Sequence, residues 1–99
     1  MYRILYVDDE PALLDLGAIY LGEIKDFTVH IRTSAVDVLN SDNLLSFDAI
    51  VSDYQMPGMN GISFLKEVRS RSFTIPFILF TGKGREEVVI EAINSGADF

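Results

Sequence analysis

A chain of 99 residues, 48% of them hydrophobic and 23% charged, has the size and composition of one compact domain with its own core. A formal charge of −7 argues against a direct nucleic-acid partner, because phosphate backbones attract basic faces. No apolar run approaches the roughly 20 residues of a transmembrane helix and Met1-Tyr2-Arg3 leads straight into a strand; without cysteine there are no disulfides or thiolate metal sites, so the chain reads as cytoplasmic.

Arg3 to Val7 is a mostly apolar run that predicts a first buried strand. Its end meets Asp8-Asp9-Glu10-Pro11, where Asp9 can cap a helix and Pro11 suits the first turn because its missing N–H would be unpaired there. Leu13, Leu14, Leu16, Gly17, Tyr20, Leu21 and Ile24 recur at three- and four-residue intervals, predicting a helix to about Lys25 that packs this face and leaves Asp15 and Glu23 wet. Phe27 to Arg32 reads as a second strand. Ser34 starts a short helix carrying Ala35, Val38 and Leu39, which Ser41-Asp42-Asn43 stops.

Asp48-Ala49-Ile50-Val51-Ser52 predicts a third strand with Asp53 at its end. Pro57 stiffens the loop that follows, and Gly58 and Gly61 permit turns that a Cβ would hinder. Asn60-Gly61 leads into a helix with Ile62, Leu65 and Val68 on one side, ending near Ser70-Arg71-Ser72. Ile75 to Phe80 is strand four, with Pro76 confined to its start, and Thr81-Gly82-Lys83-Gly84 is a turn. Arg85 to Ser95 reads as a helix with Glu86 and Glu87 in its first turn and Val88, Val89, Ala92 and Ile93 as its packing stripe; Gly96 suits a left-handed stop. Strand and helix alternate four times, which implies an α/β fold with a doubly wound parallel sheet and right-handed crossovers. No linker divides residues 1–99, so one domain is expected, with a fifth strand beginning beyond Phe99.

In an open parallel sheet, ligands bind outside the carboxyl ends of the strands where strand order reverses. Asp8 and Asp9 follow strand one, Asp53 follows strand three and Thr81 follows strand four, so these residues are expected to share one crevice. Three close carboxylates repel one another, raising their pKa values unless a cation neutralises them. Hard oxygen ligands favour Mg²⁺ (or Mn²⁺), which uses one or two carboxylates beside water and phosphate oxygens and leaves Asp53 an oxygen with which to attack.

The Asp8-Asp9 pair, Asp53 followed by Met56-Pro57 and Gly61, Ile75-Pro76, Thr81-Gly82 and Gly96-Ala97 together resemble the receiver domain of two-component response regulators over the whole chain. The resemblance implies the flavodoxin-like (CheY-like) strand order 2-1-3-4-5, with strand five and helix five largely absent from this chain. It implies a phospho-accepting signalling domain and not an enzyme: Asp53 takes a phosphoryl group from a histidine kinase or phosphotransfer domain. By the same resemblance, Asp9 and Asp53 ligate Mg²⁺ with the Gln55 backbone carbonyl, Asp8 acts mainly through water, and Thr81 hydrogen-bonds the phosphoryl group and shifts the loop before helix four. The Gln55 side chain and Lys83 flank the site and tune hydrolysis. The family's lysine and aromatic switch residue on strand five would lie beyond Phe99; Lys83 follows strand four instead. An output, sensor or kinase domain is expected to follow, with no direct nucleic-acid or membrane partner. Without strand five, Phe77 to Phe80 is an open edge through which the chain is expected to self-associate.

Singly, these residues have plainer readings: Asp9 as a helix cap, Thr81 as a turn residue, Met56 as core filler. His30 alternates with Val29 and Ile31 and reads as an outward or satisfied histidine before a phosphodonor. Arg69 and Arg71 read as solvating the end of helix three. Two other function classes compete. Phosphatases of the haloacid dehalogenase type also place an Asp nucleophile after a buried strand, but need a second Asp two residues on, where Gln55 stands. An unphosphorylated interaction module would keep only the fold.

Overall fold

The computed structural model describes residues 2–41, 43–56, 58–71, 74–80 and 86–98, with backbone alone at 86–89. Its elements alternate as β1 (Tyr2–Val7), α1 (Pro11–Gly22), β2 (Phe27–Arg32), α2 (Ala35–Ser41), a 3-10 turn (Leu44–Ser46), β3 (Ala49–Asp53), α3 (Gly61–Ser70), β4 (Phe77–Phe80) and α4 (Glu86–Asn94). The strands form one parallel sheet in the order β2-β1-β3-β4, the flavodoxin-like arrangement. The order reverses between β1 and β3. In register, Val7 faces Ser52 and Asp53 faces Phe80, which brings the ends of the inner strands to one level.

Alternation along the strands divides the side chains between two layers. Leu5, Val7, Ile50 and Phe77 point to the face covered by α2 and α3, where they form the main core with Val38, Phe64, Leu65 and Val68. Burying each such side chain contributes roughly 1.5–3 kcal/mol, so this layer dominates the stability. Phe64 and Phe77 meet edge to face at 5.5 Å. The opposite face carries α1, with Ile4 and Leu14 buried and Gly17 set against the ring of Tyr6.

Three local expectations change. α1 ends at Gly22, short of Lys25, because the Glu23 N–H closes back on the Ile19 and Leu21 carbonyls and Asp26, at φ 71°, turns the chain into β2. Its predicted packing face also splits. Leu14 is buried and Gly17 and Leu21 are half-buried, whereas Leu13, Leu16, Tyr20 and Ile24 are exposed, Tyr20 by 66%. The helix is apolar almost all round, so three- and four-residue spacing joined two separate stripes. In α4, Ala92 is buried but Ile93 is 62% exposed; the side chains of Glu86, Glu87, Val88 and Val89 lie outside the described residues.

β4 starts at Phe77, after Pro76, whose carbonyl accepts the Ile50 N–H at 2.9 Å. Gly96, at φ 101°, stops α4 as expected: the Gly96 N–H bonds the Ile93 carbonyl at 3.1 Å and the Ala97 N–H bonds the Ala92 carbonyl at 2.9 Å.

Candidate functional site

β1 delivers the first acid. The Asp8 N–H extends the ladder by bonding the Arg32 carbonyl at 3.1 Å, so the residue is held as firmly as the strand and its side chain is fully buried. Asp8 Oδ1 accepts the Glu10 N–H at 3.0 Å. Glu10, not Asp9, is the N-cap of α1 and makes no side-chain cap, which leaves the Asp9 carboxylate for the crevice.

β3 delivers the second acid. Asp53 is its last residue, and the next N–H, that of Tyr54, bonds the Phe80 carbonyl at 2.9 Å. Below it, buried Ser52 donates its hydroxyl to the Asp53 carbonyl at 3.0 Å. The loop then closes on itself: the Gly61 N–H bonds the Tyr54 carbonyl at 2.8 Å, and the Asn60 side chain caps α3 by accepting the Ser63 N–H at 2.9 Å. The loop and the start of α3 are thereby fastened beside Asp53.

Asp8, Asp9 and Asp53 each offer a carboxylate oxygen, and these oxygens lie within 4.8 Å of one another. Burial pushes the Asp53 carboxyl above its usual range, the Tyr54 and Gln55 N–H groups partly offset this, and the charges of Asp9 and Glu10 add to it. Asp8 is pushed up by burial too, partly offset by the Glu10 N–H and reinforced by Asp53, Asp9 and Glu10. Asp8 Oδ2 is buried without a hydrogen-bond partner among the described residues. A hard cation answers both features, because it neutralises the cluster and gives the orphaned oxygen a partner. Beside the acids, Asp9, Tyr54, Gln55, Met56 and Asn60 line an open cleft of about 380 Å³.

Residues 4–99 match the family model of the response regulator receiver domain. The chain belongs to that family. It is 36% identical over 101 residues to the response regulator SaeR of Staphylococcus aureus, covering 99% of this chain and 42% of that protein. Its fold superposes on the Francisella response regulator 1452 receiver domain with a TM-score of 0.85 at 26% identity, covering 99% of this chain and 80% of that one. A receiver domain from Clostridium thermocellum gives 0.87 at 29% identity, covering 98% and 78%.

The receiver domain thus brings together three of the predicted site residues, Asp8, Asp9 and Asp53, and sets Gln55 on the cleft wall. Thr81 and Lys83 lie outside the described residues, as do Pro57, Gly82 and Gly84. Met56 is core, its plainer reading. His30 is half-buried, edge-on to Phe47 at 5.5 Å, and its Nε2 is buried without a hydrogen-bond partner among the described residues, so it is neither outward nor satisfied. Two residues were not read from the sequence as neighbours of the site. Asn60 both caps α3 and lines the cleft, which an Asn-Gly-x-Ser start could have signalled. The Tyr6 ring lies 5.9 Å from that of Phe80, tilted by 54°, and its hydroxyl is pushed up by burial and by the charges of Asp8 and Asp53.

Proposed function

We propose that this receiver domain accepts a phosphoryl group on Asp53 within a two-component phosphorelay. The reading rests on the convergence of Asp8, Asp9 and Asp53 at the β1/β3 switch point, with a buried Asp8 oxygen lacking a protein partner among the described residues. Asp8, Asp9 and Asp53 are the residues that would hold Mg²⁺, with the Gln55 backbone carbonyl. When bound, Mg²⁺ supplies charge neutralisation for the acids and for the arriving phosphoryl oxygens.

The rest belongs to the chain. A carboxylate oxygen of Asp53 attacks phosphorus in line, the bond from phosphorus to a donor imidazole nitrogen breaks, and the imidazole leaves with its electron pair; an aspartyl phosphate remains. Transfer of this kind needs positioning more than covalent chemistry, and the β3 ladder with the Tyr54–Gly61 hydrogen bond provides it. Asp9 and Gln55 line the approach. Thr81 is the proposed hydrogen-bond donor to the phosphoryl group, and Lys83 a flanking residue.

The donor is a histidine kinase or phosphotransfer domain in the cytoplasm, and the chain is an acceptor with no turnover of its own on other substrates. It spans 42% of the length of the curated relatives it matches, so an output, sensor or kinase module belongs to the proposal. Incubation with labelled acetyl phosphate and Mg²⁺ tests the acceptor: label is expected on the parent and not on Asp53→Asn, and equal labelling of both contradicts it. Multiple-turnover phosphate release from unrelated monoesters would favour a hydrolase instead.

A further inference from the structure

Arg69 stands in the last turn of α3, where a cation ordinarily serves the helix dipole and solvent. Its guanidinium instead crosses to the far end of α4. Nε and Nη2 both donate to the Gly96 carbonyl, at 3.1 and 2.9 Å, Nη1 donates to the Ile75 carbonyl at 2.8 Å, and Nη2 lies 3.3 Å from Asp98 Oδ2. The same Asp98 oxygen accepts the Phe77 N–H at 2.9 Å, while the Asp98 N–H donates to the Phe77 carbonyl at 3.0 Å. One side chain therefore joins the end of α3, the approach to β4 and the segment that leaves α4.

The attachment is directional. A helix leaves its last carbonyls without internal partners, and α4 answers with a Gly96 turn that closes the Ile93 and Ala92 carbonyls and presents the Gly96 carbonyl outward, where Arg69 takes it. The Arg69 side chain is 22% exposed, so these charge-assisted bonds are only partly screened. The Lys66–Glu91 pair, by contrast, spans α3 and α4 at 3.3 Å with both side chains more than half exposed, and such pairs hold little. Among the described residues of α4, Ala92 is buried and packs on Ile62, with Tyr54 and Leu79 against the pair. Tyr54 is the residue after Asp53. A change at the acid cluster thus has a packed route to α4.

We infer that Arg69 makes residues 95–98 a fixed pivot, so that a change at Asp53 swings α4 about its C-terminal end and does not slide it along α3. The trigger rests on the proposed phosphoryl acceptance at Asp53; the pivot rests on the clamp alone.

Hydrogen exchange followed by mass spectrometry tests this, with Mg²⁺, with and without acetyl phosphate, on the parent and on Arg69→Gln, and with phosphoryl uptake measured in the same samples. The amides of Ser95, Gly96, Ala97 and Asp98 are all hydrogen-bonded, so their protection reads the clamp. Without phosphate, Arg69→Gln is expected to lose about tenfold or more of the protection at 95–98. With phosphate, the parent is expected to change at 86–91 and to hold at 95–98, whereas in Arg69→Gln the change spreads to 95–98. Unaltered protection at 95–98 in Arg69→Gln overturns the pivot, as does a parent in which 95–98 responds as strongly as 86–91. If Arg69→Gln does not unfold cooperatively, Arg69→Lys, which keeps a single cation at the Gly96 carbonyl, takes its place with an intermediate loss. Absence of label from both proteins overturns the acceptor reading, and exchange at 95–98 without phosphate then still decides whether Arg69 fixes that end.

Discussion

Gly61 lies directly against the backbone of Asp53: a Cβ at residue 61 would overlap the Asp53 carbonyl oxygen and the Leu79 Cδ1. The first turn of α3 can approach the end of β3 this closely only because that atom is missing. The contact ties the position of the Asp53 carboxylate to the start of a helix whose buried residues form much of the core.

Gly61→Ala is therefore expected to destabilise the chain by about 1–3 kcal/mol, the usual range for overpacking, since one of the two clashes is with backbone that cannot rotate away. Urea unfolding measures it. The same variant is expected to accept phosphate more slowly than its residual stability accounts for, because the displaced atom belongs to Asp53 itself. Unchanged stability would mean that α3 can retreat without loss.

The acid cluster predicts a pH dependence. Asp8 and Asp53 are both pushed up, chiefly by burial, so the folded chain binds their protons more tightly than the unfolded chain does. Their contribution to stability is fully present below the unfolded carboxylate pKa of about 3.9 and is lost as pH rises through the higher folded values. In EDTA, Asp53→Asn is thus expected to gain stability relative to the parent as pH rises from about 4 to about 7. Mg²⁺ at neutral pH should close that gap by stabilising the parent more than Asp53→Asn. A gap that is constant with pH and indifferent to Mg²⁺ would show that the carboxylates do not strain the fold.

On the other face of the sheet, Gly17 accommodates Tyr6. A Cβ at residue 17 would come within 2.6 Å of Tyr6 Cε2 and 2.9 Å of its hydroxyl, so Gly17→Ala is expected to push the ring toward Phe80 and away from α1. The expected loss is about 1–3 kcal/mol. Tyr6→Leu should relieve most of it in the double variant, and a double-mutant cycle in thermal unfolding would reveal the coupling. Strictly additive losses would contradict the contact.

The strands and the acid cluster were legible in the sequence because each rests on a local regularity, whereas the order of the strands in the sheet came from the family resemblance. Buried strands read as apolar runs, the carboxyl end of a strand is where its run stops, and Asp8, Asp9 and Asp53 stand at such stops. Gly96 was legible for the same reason, since a left-handed helix stop favours glycine. α1 was not, because leucine, isoleucine and tyrosine surround the helix and periodicity cannot separate Leu14, which packs, from Leu16 and Tyr20, which do not. Arg69 was not, because two of its partners are main-chain carbonyls, which leave no mark in a sequence, and another, the Asp98 carboxylate, lies 29 residues away. Asn60 was half legible: its place before a helix was plain, but its position on the cleft depends on how the loop folds back.

Asp53 is the proposed acceptor, beside Asp8 and Asp9, which would hold a metal with it. Peptide mapping after incubation with acetyl phosphate locates the phosphoryl group, run with Mg²⁺, with EDTA, and on Asp8→Asn. One phosphoryl group is expected on the peptide carrying Asp53 with Mg²⁺ present, with little or none in EDTA and a strongly reduced yield in Asp8→Asn. A phosphoryl group on any other residue, or equal labelling of Asp53 with and without the metal, would contradict the account.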